Sequence, residues 1–449
     1  MRGLGAGWLL LALGAAPGLA SPEELWLSPA GPTPQALAVV DALRRAGEKG
    51  LVPDDYDGPR WAERLSELAR SPAAPEPRAR FDEALTAAAL RYASDLARGR
   101  PVPGRPDLRA AFPGAPALDL LAFVRDRLAA GPDPAAALAE LEPPFAAYRR
   151  TLAALAERRR LAAGGDPARV AEVHKLELTL ERWRWLPRRF EAPPMVVNIP
   201  AFELTARDPG SGRRVAMKVV VGKAYGLQTP ALAASLTEVV FRPAWNVPAS
   251  IQRKELVPRL ARDPGLLERE GYELVDRQGR VAARALDPAG LQALRAGTLR
   301  LRQRPGPKNA LGAVKFVFPN PHGIYLHGTP AVALFARGRR DLSHGCVRVE
   351  DPLALAEWVL RGLPDWPRAR IAAAMAGPEP RRVRLTRAIP VLLVYGTAVV
   401  GEDGTARFFE DVYGHDAALD RALAAGRGWG RRPAGSGGPQ GAVAQGAPP

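Results

Sequence analysis

Hydrophobic residues recur at helical spacing through the first part of the chain. In the stretch from Phe81 to Leu96, apolar side chains fall three or four positions apart, which places them on one face of a helix. Two further helices are marked at their starts by a capping residue followed by proline, at Thr33-Pro34 and at Asp166-Pro167. This pattern predicts a mainly helical domain over residues 21–190.

After Pro193 the pattern changes to short apolar runs that are typical of strands. The segments with this pattern are MVVNIPAFELTA, RRVAMKVVVG, VVFRPAWNV, VKFVFPN and GIYLHG. Between the third and the fourth of them, residues 249–310 return to a polar, helix-like sequence. We therefore predict a β-rich domain over residues 191–375 that carries a helical insertion at residues 249–310.

The C-terminal part of the chain begins with another strand pattern. Residues 376–425 contain the segment PVLLVYGTAVV, a turn at Glu402–Gly404 and a short helix, and we expect them to complete the β-rich fold. Residues 426–449 are rich in Gly, Pro and Ala without periodicity, which predicts a disordered tail. The fold class predicted for the whole chain is α+β.

The first twenty residues have the composition of an export signal. Arg2 precedes an apolar stretch, and the small residues Gly18 and Ala20 stand where a signal peptidase would cut. No later stretch has about 20 consecutive apolar residues, so we predict no transmembrane segment. The sequence thus predicts a signal peptide at residues 1–20 and an exported protein of the periplasm or cell envelope.

The formal net charge of +16 raises the question of nucleic-acid binding. The arginines, however, are scattered through helices rich in Ala and Leu, and they form no basic block interleaved with aromatic residues. We therefore predict no nucleic-acid partner. We expect the charge to lie on solvated helix faces or to contact a polyanionic envelope surface.

A single cysteine in an exported protein has no disulfide partner within its own chain. Cys346 lies in the sequence SHGCVRVEDP, and a helix start follows at Asp351-Pro352. Gly345 permits close approach to the backbone, while the positive end of a helix and a nearby imidazole lower the pKa of a thiol. These features predict a reactive thiolate.

Three of the five histidines, His322, His327 and His344, lie shortly before this cysteine. Strand alternation in GIYLHG places Tyr325 and His327 on one face of the strand. Ile324 and Leu326 lie on the other face and can enter the core. We expect His327 to look out into a cleft.

These residue types fit three interpretations. In the first, Cys346 is a nucleophile that attacks a carbonyl carbon, and His327 is its base. In the second, His327, His344 and Cys346 bind zinc, with water as the fourth ligand. In the third, the thiol is a buried small side chain and the histidines bond to the backbone. The residue types alone leave all three open.

The motif HGTP, followed after twelve residues by SHGCVRVEDP, resembles the signature of the YkuD-type L,D-transpeptidases, which are exported enzymes that cross-link peptidoglycan. The resemblance is strong from Glu181 to about Asp416. It is to the larger periplasmic branch, which carries an N-terminal helical scaffold, and it rests on the segments ERWRWLP, VNIPAFEL, VVGKAYGLQTP, PAWNVPASIQRKELVP and FVFPNPHGIYLHGTP. Larger members usually insert a small peptidoglycan-binding module before the ERWRWLP helix, whereas this chain passes there from one helix directly to the next.

The resemblance implies a role for each residue of the motif. Cys346 would be the nucleophile, His327 its base, and the backbone carbonyl of Gly328 would orient the imidazole. The N–H groups of Gly345 and Cys346 would form the oxyanion hole, and residues 249–310 would form a lid over the donor. The residues expected to shape the donor site are Tyr325, Ser343, His344, Gly345 and Arg348.

The implied reaction is the formation of 3→3 cross-links through a cysteine thioester on tetrapeptide stems. With water as the acceptor the enzyme would be an L,D-carboxypeptidase, and with a lipoprotein lysine it would anchor protein to the wall. One acyl-enzyme serves all three reactions, so the catalytic residues do not separate them. The expected partners are peptidoglycan stem peptides and, in the last case, a lipoprotein acceptor; no cofactor or metal is expected.

Overall fold

The computed structural model describes residues 24–106, 108–112, 118–208 and 210–426. The predicted signal peptide at residues 1–20 lies outside these residues, and so does the predicted tail except for Gly426, which ends the last helix. The chain divides into two compact units. The described residues up to 47, 52–96 and 118–142 form the first, and residues 48–51, 97–112 and 143–426 form the second. Residues 143–190, which the sequence assigns to the helical domain, thus belong to the same unit as the β-rich domain.

The first unit is mainly helical, as the hydrophobic pattern predicts. Its elements are β1 (Leu27–Ser28), β2 (Gly31–Pro32), α1 (Pro34–Arg44), α2 (Trp61–Arg70), α3 (Pro75–Arg98), α4 (Leu120–Phe123) and α5 (Pro134–Glu140). Helix α1 begins at the predicted cap, because the Thr33 hydroxyl accepts the N–H of Ala36 at 3.1 Å. The core is aromatic: Trp61 packs edge-on against Phe81, with their ring centroids 5.9 Å apart.

The second unit begins with two long helices and then becomes rich in strands. The helices are α6 (Ala146–Ala162), α7 (Pro167–Trp183), α8 (Ala249–Ile251), α9 (Val257–Arg262), α10 (Leu266–Arg269), α11 (Pro288–Ala296), α12 (Pro352–Val359), α13 (Arg368–Ala376) and α14 (His415–Gly426). The strands are β3 (Met195–Asn198), β4 (Glu203–Arg207), β5 (Arg214–Gly222), β6 (Leu232–Phe241), β7 (Trp245–Asn246), β8 (Tyr272–Val275), β9 (Val281–Ala283), β10 (Arg300–Gln303), β11 (Val314–Val317), β12 (Leu326–His327), β13 (Asp341–Ser343), β14 (Val347–Val349), β15 (Arg381–Val394), β16 (Ala398–Val400) and β17 (Ala406–Phe408).

Nine of these strands form one sheet, in the order β13-β5-β14-β12-β11-β6-β15-β3-β4. Strand β4 also pairs with β5, and this additional pairing closes the sheet on itself. Alternate side chains such as Leu204, Phe316 and Leu326 point into the closed sheet and are fully buried there. The residues between them face outward, and it is this outer face that carries the site described below.

The outer face is covered by helices at β3 and β15. Trp185 and Leu186, which follow α7, pack with Leu392 of β15 and Leu419 of α14 in one buried cluster. Beyond β15, the chain forms the two-stranded hairpin β16–β17, which turns at residues 401–405 as the sequence predicts.

The insertion at residues 249–310 differs from its prediction. It contains helices α8 to α11 and also strands β8 to β10, which form a four-stranded sheet with β7, the strand just before the insertion, in the order β7-β10-β8-β9. Its own hydrophobic core includes Leu260, Leu274, Leu294 and Leu301. The predicted helices are therefore present, but the strands were missed, because strands of two to four residues are too short to show a clear alternation. We call residues 245–303 the lid subdomain.

Among the residues that the structure describes, no helix is both long enough and apolar enough to span a bilayer.

Candidate active site

Cys346 lies on the tight turn that joins β13 to β14 on the outer face of the closed sheet. Ser343 braces this turn from inside: its hydroxyl donates to the carbonyl of Cys346 at 2.6 Å and accepts the N–H of Gly345 at 3.1 Å. Gly345 has φ +114°, a backbone conformation that other residues rarely adopt. Ser343 is buried and therefore shapes the site by holding the turn. The predicted oxyanion role of Gly345 N–H is not supported, because Ser343 already accepts that hydrogen bond.

A second brace comes from the loop after β5, to which the sequence analysis assigned no role. The Thr229 hydroxyl donates to the carbonyl of Gly345 at 2.7 Å and accepts the N–H of Gly222 at 2.8 Å. Gly222 leaves no room for a side chain, since an added Cβ would lie 1.9 Å from the carbonyl oxygen of Leu227. The carbonyl of Gly222 in turn accepts the Tyr413 hydroxyl at 2.6 Å. The turn that carries the thiol is thus fixed from two sides.

His327 lies on β12, between Lys315 of β11 and Arg348 of β14 in the register of the sheet. Its Nδ1 is 2.6 Å from the carbonyl oxygen of Gly328. A carbonyl can only accept, so Nδ1 carries the proton and Nε2 is left as an acceptor. The hydrogen bond that the resemblance implied for Gly328 is therefore present.

The imidazole of His327 is only 5% exposed, so the expectation that it looks into an open cleft is wrong. Burial, followed by the charge of Arg348, lowers the pKa of His327 to about 3, against the opposing effect of the carbonyls of Gly328 and Leu311. His327 is consequently neutral at ordinary pH.

The sulfur of Cys346 is partly buried and has a polar surrounding. The backbone N–H and the hydroxyl of Tyr325 both hydrogen-bond to it, and the charges of Lys315 and Arg348 act on it. These groups lower the pKa of the thiol, but burial outweighs them and raises the pKa above its usual value. The expected resting thiolate is therefore corrected: burial favours the neutral form of the Cys346 thiol, and the His327 imidazole is neutral as well.

Two residues that the sequence reasoning missed complete this surrounding. Lys315 lies directly opposite His327 in the sheet, and its Nζ is 3.8 Å from the centre of the Tyr325 ring. Trp245, from β7 of the lid subdomain, hydrogen-bonds to the hydroxyl of Tyr325. Lys315 could have been found from the alternation in VKFVFPN, since Val314 and Phe316 face the core. Nothing in the sequence near Trp245 indicated that it reaches the site.

His344 points to the lid subdomain. Its Nε2 is 2.6 Å from Oε1 of Glu255, so that the imidazole N–H donates to the carboxylate. The three ligands of the zinc interpretation are not gathered, and no group of three or more His, Cys, Asp or Glu side chains within the described ranges is arranged to hold a metal ion.

A large cavity of about 1490 Å³ lies elsewhere in the second unit, against α7, β15 and α14. Neither Cys346 nor His327 lines it. The candidate site is therefore located by its chemistry and not by the size of a cavity.

Comparison with known proteins agrees with this geometry. Residues 195–371 match the family model of the L,D-transpeptidase catalytic domain, named YkuD, and residues 21–155 match that of a scaffold domain. These matches cover the two domains that the resemblance implies, so the predicted resemblance and the α+β fold class are confirmed.

One curated relative is a Haemophilus influenzae protein recorded as "Putative L,D-transpeptidase". It is 33% identical over 253 residues, which are 56% of this chain and 50% of the relative. This chain thus spans about half the length of that protein.

Proposed function

We propose that this protein is an exported L,D-transpeptidase of the cell envelope that joins peptidoglycan stem peptides by 3→3 cross-links through a thioester on Cys346. The observation that carries the proposal is the state of His327, whose Nδ1 is held by the Gly328 carbonyl at 2.6 Å. A neutral imidazole is the form that a general base requires. It lies on the strand that pairs with β14, which begins directly after Cys346. The match to the L,D-transpeptidase catalytic domain supports the reaction class.

In the first half-reaction, the sulfur would attack the carbonyl carbon that joins the third residue of a tetrapeptide stem to its terminal D-alanine. The proton of the thiol passes to Nε2 of His327 as the carbon–sulfur bond forms. Cys346 N–H is the remaining candidate donor to the oxyanion, because Gly345 N–H is bonded to Ser343. The carbon–nitrogen bond then breaks, and His327 returns the proton to the nitrogen of D-alanine.

In the second half-reaction, the side-chain amine of another stem would attack the thioester. His327 takes a proton from the amine, the new amide bond forms, and the sulfur leaves and recovers a proton. A neutral Cys346 thiol and a neutral His327 imidazole suit both half-reactions, because no charge on either group has to be neutralised before the sulfur or the amine attacks. No cofactor enters this sequence.

Two other acceptors would use the same acyl-enzyme. Water would give an L,D-carboxypeptidase, and a lipoprotein lysine would give protein anchored to the wall. The side chains around Cys346 would bind the donor stem and transfer the proton. They would therefore serve a stem amine, water and a lipoprotein lysine equally as acceptors.

The test is incubation of the purified protein with a disaccharide-tetrapeptide, followed by mass spectrometry of the products. We expect a cross-linked dimer with loss of one D-alanine. A tripeptide monomer as the sole product would indicate the carboxypeptidase instead. Unchanged substrate with a folded protein would contradict both the cross-linking and the carboxypeptidase reaction.

The control is Cys346→Ala, which should yield no product of either kind. Because the chain has a single cysteine, a product formed by this variant would have to come from a different nucleophile.

A further inference from the structure

Two cations flank His327 on the outer face of the closed sheet. Lys315 on β11 and Arg348 on β14 both lie level with His327, one on either side. Neighbouring strands are about 4.8 Å apart, so the two backbone positions are separated by roughly 10 Å with the imidazole between them. Both side chains are long enough to converge beside the turn that carries Cys346. The charges of both act on the sulfur.

Neither cation forms an ion pair with a carboxylate, although the charges of Glu238 and Arg382 also act on Lys315. Among the ion pairs of the described part of the chain, none includes Lys315 or Arg348, and the buried Nε of Arg348 has no hydrogen-bond partner. Arg382, which follows in the same row of the sheet, shows the usual arrangement, since it is paired with Glu238 at 3.0 Å. A partly buried charge without a counter-ion is unfavourable, and an incoming anion would relieve that cost.

We propose that Lys315 and Arg348 form a carboxylate-binding subsite beside Cys346, which holds the C-terminal carboxylate of the donor stem. Three bonds separate this carboxylate carbon from the carbonyl carbon that the sulfur attacks. A carboxylate anchored by cations next to the sulfur therefore brings that carbonyl onto the nucleophile. This inference rests on the proposed function for the identity of the donor, while the subsite itself rests on the two unpaired cations.

The same cations also stabilise a thiolate, so a test must separate binding of an anion from ionisation of the thiol. Iodoacetate and iodoacetamide separate the two effects. In both reagents the sulfur displaces iodide from the CH2 carbon, so the reaction is the same. Both reagents react with the thiolate, and a change in the pKa of Cys346 therefore cancels in the ratio of their rates. Only iodoacetate carries a carboxylate.

The experiment measures this rate ratio at Cys346 for the full chain and for Lys315→Gln, by intact mass. We expect the ratio of iodoacetate to iodoacetamide to fall about tenfold in the variant, as is usual on losing a charge-assisted hydrogen bond. Lys315→Arg keeps the charge and should retain most of the ratio. Arg348→Gln should lower it in the same direction.

The matched control is Lys218→Gln, which removes the same charge from the neighbouring strand β5. Lys218 is half exposed and already lies 3.9 Å from Glu350, so its loss should change the ratio by less than about twofold. A ratio that is equal in wild type, Lys315→Gln and Arg348→Gln, with all three folded by circular dichroism, would overturn the subsite.

A second readout uses the donor itself, as the free acid and as the C-terminal amide. Wild type should acylate with the acid faster, chiefly through a lower KM, and Lys315→Gln should lose most of this preference. If neither donor acylates Cys346, the proposed function fails, whereas the iodoacetate ratio still decides the subsite. If both donors react equally well in wild type, the function stands and the subsite is wrong.

Discussion

The closed sheet and the lid subdomain both contribute to the surroundings of Cys346, but they do so by different means. In the sheet, backbone register sets His327 between its neighbours, and the imidazole is almost fully buried. The lid subdomain instead makes side-chain contacts, from Trp245 to Tyr325 and from Glu255 to His344. Backbone pairing is lost only when the sheet unfolds, whereas single side-chain contacts at a surface break readily. The surroundings of Cys346 therefore combine positions set by backbone pairing with side-chain contacts from the lid subdomain.

The largest effect should come from Cys346→Ala. Acylation by a carbapenem, whose strained carbonyl is an acyl donor, should fall by about 10⁴-fold or more, because no other thiol is present. Intact mass should rise by one drug equivalent in wild type, and peptide mapping should place the adduct on the segment containing Cys346. Thermal unfolding should be little changed, since the partly buried thiol adds little to the core. An adduct of normal yield on the variant would remove Cys346 as the nucleophile.

His327→Ala should have the second largest effect, about 10²- to 10³-fold on carbapenem acylation at neutral pH. The size should depend on pH. Since the pKa of His327 is lowered to about 3, wild type keeps its base from about pH 5 to 8, and its rate should be nearly level there. Without the base, reaction requires the thiolate, whose pKa is raised, so the variant's rate should rise about tenfold for each pH unit.

His322→Ala is the matched control for this experiment, because it removes an exposed imidazole close in sequence. Its pH profile should follow wild type. A wild-type rate that instead rises through pH 6.5 would mean that His327 titrates as an exposed histidine does.

Replacement of the lid subdomain should have an intermediate effect. Asn246 and Arg302 are register partners of β7 and β10, so residues 247–301 can be exchanged for a two-residue Asn-Gly turn that keeps Trp245 in place. The closed sheet has its own core and should fold, as seen by circular dichroism. Carbapenem acylation should slow by about 10- to 100-fold through poorer positioning of the donor. A normal rate of acylation would show that residues 247–301 are not needed to position the donor.

The smallest effect should come from Glu255→Gln, which weakens the contact with His344. Both side chains are substantially exposed, at 46% and 27%, so the free energy of unfolding should change by less than about 0.5 kcal/mol. Acylation should slow by about two- to threefold as the lid subdomain loses one attachment. The neighbouring exposed variant Lys254→Gln should leave the rate unchanged, and equal effects of both would refute a specific contact with His344.

The sequence indicates the candidate site because the parts of its motif are close along the chain. Cys346, His327 and Gly328 lie within one short segment, and their types limit the chemistry they can perform. Alternation of residues also gave the correct inward direction for Leu326. The start of α1 was equally clear, since its cap is local.

What was missed depends on contacts between distant parts of the chain. Thr229 and Glu255 reach the turn of Cys346 from 116 and 89 residues away in sequence, and no local pattern encodes such pairs. The direction of the thiol's pKa shift was mistaken for the same reason. Neighbouring charges can be read from the sequence, but the burial that outweighs them arises only in the folded unit.

The protonation state of the Cys346 thiol also affects how readily the protein is inactivated by oxidation. Peroxides and other oxidants attack thiolates far faster than thiols, and the higher oxidation states of cysteine are not reversed by ordinary reductants. Cys346 has no neighbouring cysteine that could rescue it as a disulfide, so one such event would end the working life of the molecule. Because burial raises the pKa of Cys346, more of the sulfur is held as the thiol, which is the form that such oxidants attack slowly.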